Sequence, residues 1–392
     1  MAFVTPRSLS IREGDRSAGP GTGPRYVLAA GVSLCFFGLA LAACGTQSQR
    51  PVGVIVTERL RPPFSAEERR AVFGRPLGAF ACSVPIPAVR AVTVGGFYAD
   101  RDASVVEPEA LARYQEATKP ITDYETQITT ISDTFLRSRP ANLAPARCAL
   151  DWLEAWAGQG ALLGRMSQQG GYVRTWALSS IVASYIKIQA AEGLDAARRQ
   201  RVEEWIRQLA TAMIAYYGGR SGSDARNNHA YWAGQAVVLS GVALNDRGLL
   251  AWGVERYRVG ISQVGADGTL PLEVARKSKA RHYHNFALMP LVLIAEVAAR
   301  NGMDLYAEAG GAIHRLAGRV TDSLADPAFF ERLTSVRQDW EGDLAGGSLA
   351  WAEPYYARFH DGRLVPWLAR YRPLRQRWFG GDATLAYGVP QL

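Results

Sequence analysis

Two short stretches of the chain concentrate the residues able to do chemistry. The first reads Arg226-Asn227-Asn228-His229-Ala230-Tyr231-Trp232-Ala233-Gly234, and the second runs from Arg276 to Asn285 as R-K-S-K-A-R-H-Y-H-N. Together they hold three of the five histidines, three arginines and two tyrosines. Both are followed by apolar helical runs. Polar groups at the mouths of buried helices are costly unless they bond one another or a ligand. The two stretches are therefore expected to form one site, and their chemistry suits an acidic sugar.

Asn228 and His229 follow Asp224 at the expected start of a helix. An amide, an imidazole and a helix N-terminus all stabilise anionic oxygen. Arg276 and Tyr283 are two helical turns apart in sequence and could share a face. Arginine pairs with a carboxylate through two parallel hydrogen bonds. A tyrosine beside cations is expected to have a lowered pKa and to exchange protons. These parts fit β-elimination on a polyuronate. Neutralising the uronate carboxylate acidifies its C5 proton and stabilises the enolate-like intermediate. A base takes that proton and an acid protonates the departing O4. In β-mannuronate the two atoms lie on one face, so a single tyrosine could serve both. Arg226 and Arg281 are further candidates to hold substrate. Two rival functions remain: a helical glycoside hydrolase and a non-catalytic polysaccharide-binding or export subunit. Hydrolysis would need two carboxylates facing across a cleft, and Asp224 and Glu273 are the nearest acids. His282 and His284 form an H-x-H, but on a helix they diverge, and no acid or cysteine lies at ligand spacing, so neither metal nor cofactor is expected.

The chain has 392 residues, a net charge of +8, and 10 Trp, 16 Tyr and 13 Phe. Its basic residues are interspersed with acids, and no nucleic-acid-binding module is visible, so nucleic acid is not an expected partner. Abundant Trp and Tyr suit carbohydrate binding, although most aromatics in such a chain pack helices.

The elements that must position the site are helical. Short helices are expected over Pro108–Glu116 and Tyr124–Ser138. After Cys148 the apolar period becomes strongly helical, with helices at Ala149–Gly164, Trp176–Ala191, Asp195–Tyr217, Asn228–Leu244, Leu249–Val264, Tyr283–Arg300 and Tyr306–Ala325. Gly170-Gly171 reads as a break between the first two of these. The aromatic, Pro-broken Pro354–Arg377 region closes the end. No strand alternation appears after Cys148. Paired antiparallel helices without a repeat signature favour a bundle or closed toroid over a simple solenoid. The Gly- and Asp-punctuated loop Phe97–Asp102 is a candidate lid.

Residues 1–44 read as an export signal. Arg7, Arg12, Arg16 and Arg25 precede an apolar run that ends in Leu41-Ala42-Ala43-Cys44. That ending resembles a bacterial lipobox with Cys44 as the lipidated residue; an uncleaved anchor and ordinary cleavage near Cys44 are the alternatives. Residues 45–80 read as an irregular tether and 81–392 as the main domain. Export leaves Cys82 and Cys148 in the mature chain and favours a disulfide between them.

Asn227–Ala233 (Asn-Asn-His-x-Tyr-Trp-Ala), Leu270–Arg276 (Leu-Pro-Leu-Glu-x-x-Arg) and Tyr283–Leu291 (Tyr-His-Asn-x-Ala-Leu-x-Pro-Leu) together resemble the periplasmic poly-mannuronate alginate lyases of polysaccharide lyase family 5. The resemblance extends upstream to Gln169, Tyr172 and Trp176. It implies an all-α, incomplete (α/α) toroid and metal-independent eliminative cleavage of alginate, an anionic polysaccharide, by a monomeric periplasmic enzyme. By the same resemblance, Asn228, His229 and Arg276 neutralise the carboxylate and Tyr283 moves the proton. Gln169, Tyr172 and Trp176 would line the sugar cleft, a lid would come from the loop near Tyr98–Arg101, and the family's disulfide would match Cys82–Cys148. Arg276-Lys277-Ser278-Lys279-Ala280-Arg281 is more basic than the family pattern, which leaves room for another polyuronate as substrate.

Overall fold

The computed structural model describes residues 58–339 and 346–392. The expected signal, the lipobox at Cys44 and the first part of the tether lie outside them. Eleven of the helices matter here: α1 (Ala66–Phe73), α2 (Pro108–Arg137), α3 (Leu143–Gly158), α4 (Gln168–Ile188), α5 (Ala196–Gly218), α6 (Asn228–Leu244), α7 (Arg247–Ile261), α8 (Pro271–Val274), α9 (Ala280–Arg300), α10 (Glu308–Ala325) and α11 (Ala328–Thr334). Consecutive hairpins pack so that α2, α4, α6 and α9 touch in series, while α3, α5, α7 and α10 lie against them. The helices α4, α6 and α9 bury nearly every residue, as inner-layer helices must. By contrast α5 buries one stripe, Val202, Trp205, Ile206, Leu209, Ala210, Met213 and Tyr217, and leaves the rest half-buried or exposed. This is an incomplete (α/α) toroid.

The C-terminal segment fills the toroid's interior. A two-stranded hairpin pairs Arg375–Gln376 with Gly381–Asp382, and its connection carries Trp378. That ring stacks on Trp176 of α4 at 4.6 Å and meets Trp232 of α6 and Phe286 of α9 edge-on at 5.9 and 6.0 Å. Its indole N–H donates to Glu125 of α2 at 3.2 Å. One residue thus touches all four inner helices. On the far side of the hairpin, the buried Lys187 of α4 donates to Asp133 of α2 and to the Gly380 carbonyl.

Three expectations change. Residues 108–137 form one helix rather than two, because Pro120 sits on its exposed side, where the carbonyl it leaves unpaired can reach water. Gly170 and Gly171 do not break the chain but lie in the first turn of α4. Ser167 caps that turn, its hydroxyl accepting from the Gly170 N–H at 3.0 Å. A Cβ at 170 would fall 1.9 Å from the Val92 carbonyl oxygen, and one at 171 would fall 2.7 Å from the Tyr216 ring. The glycines permit close approach of neighbouring segments.

The third change concerns the tether. From Glu58 onward the segment is packed rather than loose: Leu60 and Phe64 are buried, and Arg69 of α1 donates to the Leu385 carbonyl at 2.8 Å. Ser65 caps α1 through the Glu68 N–H. Ser65-x-x-Glu68 is a helix-start signature visible in the sequence.

Cys82 and Cys148 are joined in a disulfide with Cα atoms 5.6 Å apart. It fastens the extended segment before the Phe97 loop to α3.

Candidate active site

The start of α6 carries the first half of the site. Asn227 caps it, its side-chain oxygen accepting from the His229 N–H at 3.0 Å. Asn228 follows, fully buried, and is held by Glu273 of α8. The Asn228 backbone N–H donates to Glu273 at 2.8 Å, and its side-chain Nδ2 lies 3.0 and 3.1 Å from the two carboxylate oxygens. Those two oxygens subtend a far smaller angle at Nδ2 than its two N–H bonds do. One N–H therefore serves both, and Glu273 does not use the second. Burial pushes the Glu273 carboxyl upward, against Arg276 and the Asn228 donors, which pull it down.

His229 is fixed by stacking. The Tyr172 ring lies parallel to it at 3.7 Å between centroids, and the Tyr172 hydroxyl donates to Asp224 at 2.8 Å. Asp224 also pairs with Arg220. Desolvation, with Arg276 nearby, pushes the His229 imidazole down to about 3. At neutral pH it is an uncharged ring that can donate one N–H to an anionic oxygen.

The second half comes from the turn after α8 and the first turns of α9. Arg276 precedes α9 rather than lying on it, so the two-turn helical spacing does not describe the pair. The residues meet all the same: the guanidinium carbon of Arg276 lies 3.7 Å from the Tyr283 ring centroid. Nε of Arg276 is buried and finds no hydrogen-bond partner among the described residues. Tyr283 is 8% exposed. Its hydroxyl is 2.6 Å from that of Tyr98, in the loop expected to form a lid. Burial raises the Tyr283 hydroxyl well above its ordinary value, and Arg276 opposes that rise. The expectation of a lowered pKa is thus reversed, because desolvation outweighs the one cation beside the ring.

A cleft of about 640 Å³ is lined by Tyr114, Gln115, Glu125, Trp176, Arg377 and Trp378 among others. Trp176 lies on its wall and links it to His229, with ring centroids 6.1 Å apart. Gln169 is half-buried, with its side chain near the Tyr114 hydroxyl. Tyr172 has a different place, as the support beneath His229. Arg226 is exposed in the turn before α6, and its carbonyl accepts from the Tyr231 hydroxyl and from Gln263, each at 2.8 Å.

Arg281 does not meet its expected substrate-binding role. It is buried, donating from Nη2 to the Leu324 carbonyl at 2.9 Å while its backbone N–H bonds Gln338. It sits at the second position of α9, where its long side chain braces the end of α10 instead. His284 likewise spends both ring nitrogens on backbone, accepting from the Leu270 N–H and contacting the Ala280 carbonyl. The H-x-H pair is no chelate. Glu273, Asp224, Tyr98 and Trp378 complete the surroundings. Of these, Trp378 carries no sequence signal, whereas Glu273 stands three residues before Arg276 inside the Leu270–Arg276 motif, and Asp224 stands two residues before the first stretch.

Known proteins resemble this chain over most of its length. The family model described as alginate lyase matches residues 96–330. A polysaccharide lyase of Stenotrophomonas maltophilia is 36% identical over 309 residues, spanning 78% of this chain and 90% of that protein. An alginate lyase of Pseudomonas fluorescens is 31% identical over 360 residues, 89% of this chain and 94% of its own. Among solved structures, a variant of alginate lyase A1-III complexed with tetrasaccharide superposes with a TM-score of 0.76 at 27% identity, covering 85% of this chain and 98% of that one. Alginate lyase A1-III from Sphingomonas species A1 gives 0.72 at 26% identity, covering 84% and 96%. The chain belongs to the alginate lyase family.

Proposed function

We propose that this enzyme cleaves alginate by β-elimination, with poly-β-mannuronate as its preferred substrate. One observation carries the reading: Arg276 lies over Tyr283 with a buried, unpartnered Nε, beside an uncharged His229. A buried donor of that kind is matched to an anionic ligand.

Arg276, the His229 N–H and the second N–H of Asn228 neutralise the uronate carboxylate. The Tyr283 phenolate takes the C5 proton, and the C5–H electrons form the C4=C5 double bond as the C4–O4 bond breaks. Tyr283 then returns the proton to O4. The phenolate is regenerated, and the products are a new reducing end and a 4,5-unsaturated uronate. One residue suffices for both transfers only where H5 and O4 share a face, as in mannuronate. Trp176, Gln169 and Tyr114 supply the cleft wall for neighbouring sugars. Arg226, exposed before α6, is available to an approaching carboxylate.

The enzyme acts in the periplasm as a monomer. Residues 1–44 direct its export, Cys44 is the candidate lipid-bearing residue, and the Cys82–Cys148 disulfide is consistent with an oxidising compartment. The catalytic domain begins near residue 58 rather than 81. A panel of polyuronates, followed by absorbance of the unsaturated product, tests the reading: poly-mannuronate should be cleaved faster than poly-guluronate, and equal rates would refute the same-face argument. Conversion of Cys44 to serine, followed by membrane fractionation, tests the anchor. Loss of the protein from the membrane fraction supports it.

A further inference from the structure

We propose that the end of the toroid opposite the active site is a docking surface for anionic lipid headgroups, so that the anchored enzyme stands with its cleft turned away from the membrane. The orientation rests on the reading of Cys44 as the lipid-bearing residue. The docking surface stands on the domain itself.

The inner helices α4, α6 and α9 run in one direction. Each starts at the site: Gln169 lies in the first turn of α4, Asn228 opens α6, and Tyr283 lies in the first turn of α9. The far ends of α6 and α9 are gathered by one short segment. The Leu60 N–H donates to the side-chain oxygen of Asn245 at 2.8 Å, and the Arg61 N–H donates to that of Asn301 at 2.9 Å. Asn301 returns a bond from Nδ2 to the Arg61 carbonyl at 2.9 Å, and Arg247 donates to the Glu58 carbonyl at 2.9 Å. Asn245 and Asn301 are the residues that end α6 and α9. The length of α6, 17 residues, puts about 25 Å between this strap and Asn228. The chain therefore enters the domain at the end remote from Tyr283.

Charge distinguishes that end. Arg59, Arg247 and Arg300 are exposed around the strap, and none has a carboxylate partner among the described residues. The carboxylates nearby are engaged: Glu58 pairs with Arg61 at 3.0 Å, Asp246 with Arg207 at 2.9 Å and Glu296 with Arg358 at 2.7 Å. Glu68 lines the same groove as Arg300 and is opposed by Arg69. An arginine in the last turn of a helix favours its C-terminus. That accounts for Arg300 alone. Arg59 lies in the strap, and Arg247 is in the first turn of α7, where the helix dipole disfavours a cation.

What meets this surface follows from where the chain leads. Cys44 precedes Glu58 by fourteen residues, which reach at most about 50 Å. A bilayer holding a lipid at Cys44 is thus within reach of the domain, but a tether of that length selects no orientation by itself. Free arginines are drawn to an anionic bilayer surface, so three at one end turn that end to the lipid. The cleft then opens to the aqueous side.

Co-sedimentation of the full Cys44→Ser chain with phosphatidylglycerol vesicles, against phosphatidylcholine vesicles, reads the surface without the lipid. Binding at low salt should be at least tenfold tighter to phosphatidylglycerol. The Arg59→Gln/Arg247→Gln/Arg300→Gln variant should lose that preference and cleave soluble oligosaccharides at the wild-type rate. Arg59→Gln/Arg300→Gln, which breaks no side-chain hydrogen bond among the described residues, should lose most of it. Equal binding to the two lipids, or an unchanged preference in both variants, would overturn the proposal. So would a loss of poly-mannuronate affinity in the triple variant with vesicle binding unchanged, which would make the patch a polysaccharide site. For the orientation, the lipidated chain is placed in vesicles containing nitroxide-headgroup lipid. A fluorophore on Glu192→Cys, in the exposed loop after α4, should be quenched, and one on Ala266→Cys, in the exposed loop after α7, should not. The reverse pattern would overturn the orientation. Absence of the wild type from the membrane fraction would also overturn the orientation, and the vesicle result would still decide the surface.

Discussion

The guanidinium of Arg276 lies 3.7 Å above the ring of Tyr283, which places a fixed cation against a buried hydroxyl. Burial and Tyr98 raise that hydroxyl's pKa and Arg276 lowers it, and burial wins. Near neutral pH the reactive phenolate is therefore the minor form.

A pH dependence follows. Below the raised pKa, the phenolate fraction grows about tenfold per pH unit, so kcat/KM should climb from pH 7 towards 9. Because the His229 imidazole is pushed down to about 3, it should add no inflection near pH 6.5. Arg276→Ala removes the opposing cation and a carboxylate partner, and should lower kcat/KM about 10²- to 10⁴-fold. A pH profile flat above 7, or a titration near 6.5 that His229→Gln removes, would contradict this.

Glu273 and Asn228 are both fully buried and exchange three contacts. Glu273→Ala leaves a backbone N–H and an amide without their acceptor, costing about 2–4 kcal/mol of stability. Glu273→Gln keeps an acceptor oxygen and should retain most of the stability. Its added N–H competes with those of Asn228, however, and kcat should fall with little change in KM. Thermal melts with steady-state kinetics check both, and a Glu273→Ala variant with wild-type stability and rate would remove Asn228 positioning from the account.

Glu125 is buried under Trp378 and Arg377, and desolvation, only partly offset by Arg377, raises its carboxyl to about 7. Its ordinary value is near 4.5, so the folded state binds the proton more tightly than the unfolded state does. Stability from this group is present below pH 4.5 and is lost as pH rises through 7. Glu125→Gln removes that loss. Its stability relative to wild type should therefore improve between pH 5 and 8, by up to roughly 3 kcal/mol, in chemical denaturation series. A constant difference across that range would show that the charge carries no net cost.

How far the sequence carried these conclusions depends on the range over which each signal acts. The α6 boundaries were legible because both ends are local. Asn227 caps one end, and Asn245, at φ 53°, turns the chain left-handed at the other. Asn228, His229, Arg276 and Tyr283 were legible as a site because polar residues of that kind before apolar helices need partners. The two short helices expected over residues 108–138, and the break expected at Gly170-Gly171, failed because what joins those segments depends on distant facts: an exposed helix face at Pro120, and the close approach of Val92 and Tyr216. Trp378 was invisible, since its meaning is a position between four helices. Arg281 was read by its proximity to the motif, whereas helical geometry sends it to Leu324.

That correction is itself testable. Arg281→Met should lower the melting temperature, because it removes a buried brace at the end of α10, and should leave KM for alginate within about twofold, a change of under ~0.5 kcal/mol. A large rise in KM with unchanged stability would restore Arg281 to the substrate.

The most direct test of the central claim is the Tyr283→Phe variant, followed by absorbance of the unsaturated uronate on poly-mannuronate. The variant should melt like wild type, bind mannuronate oligosaccharides and form no measurable unsaturated product. Product formation at the wild-type rate would show that another group moves the proton, and the assignment of Tyr283 would fall.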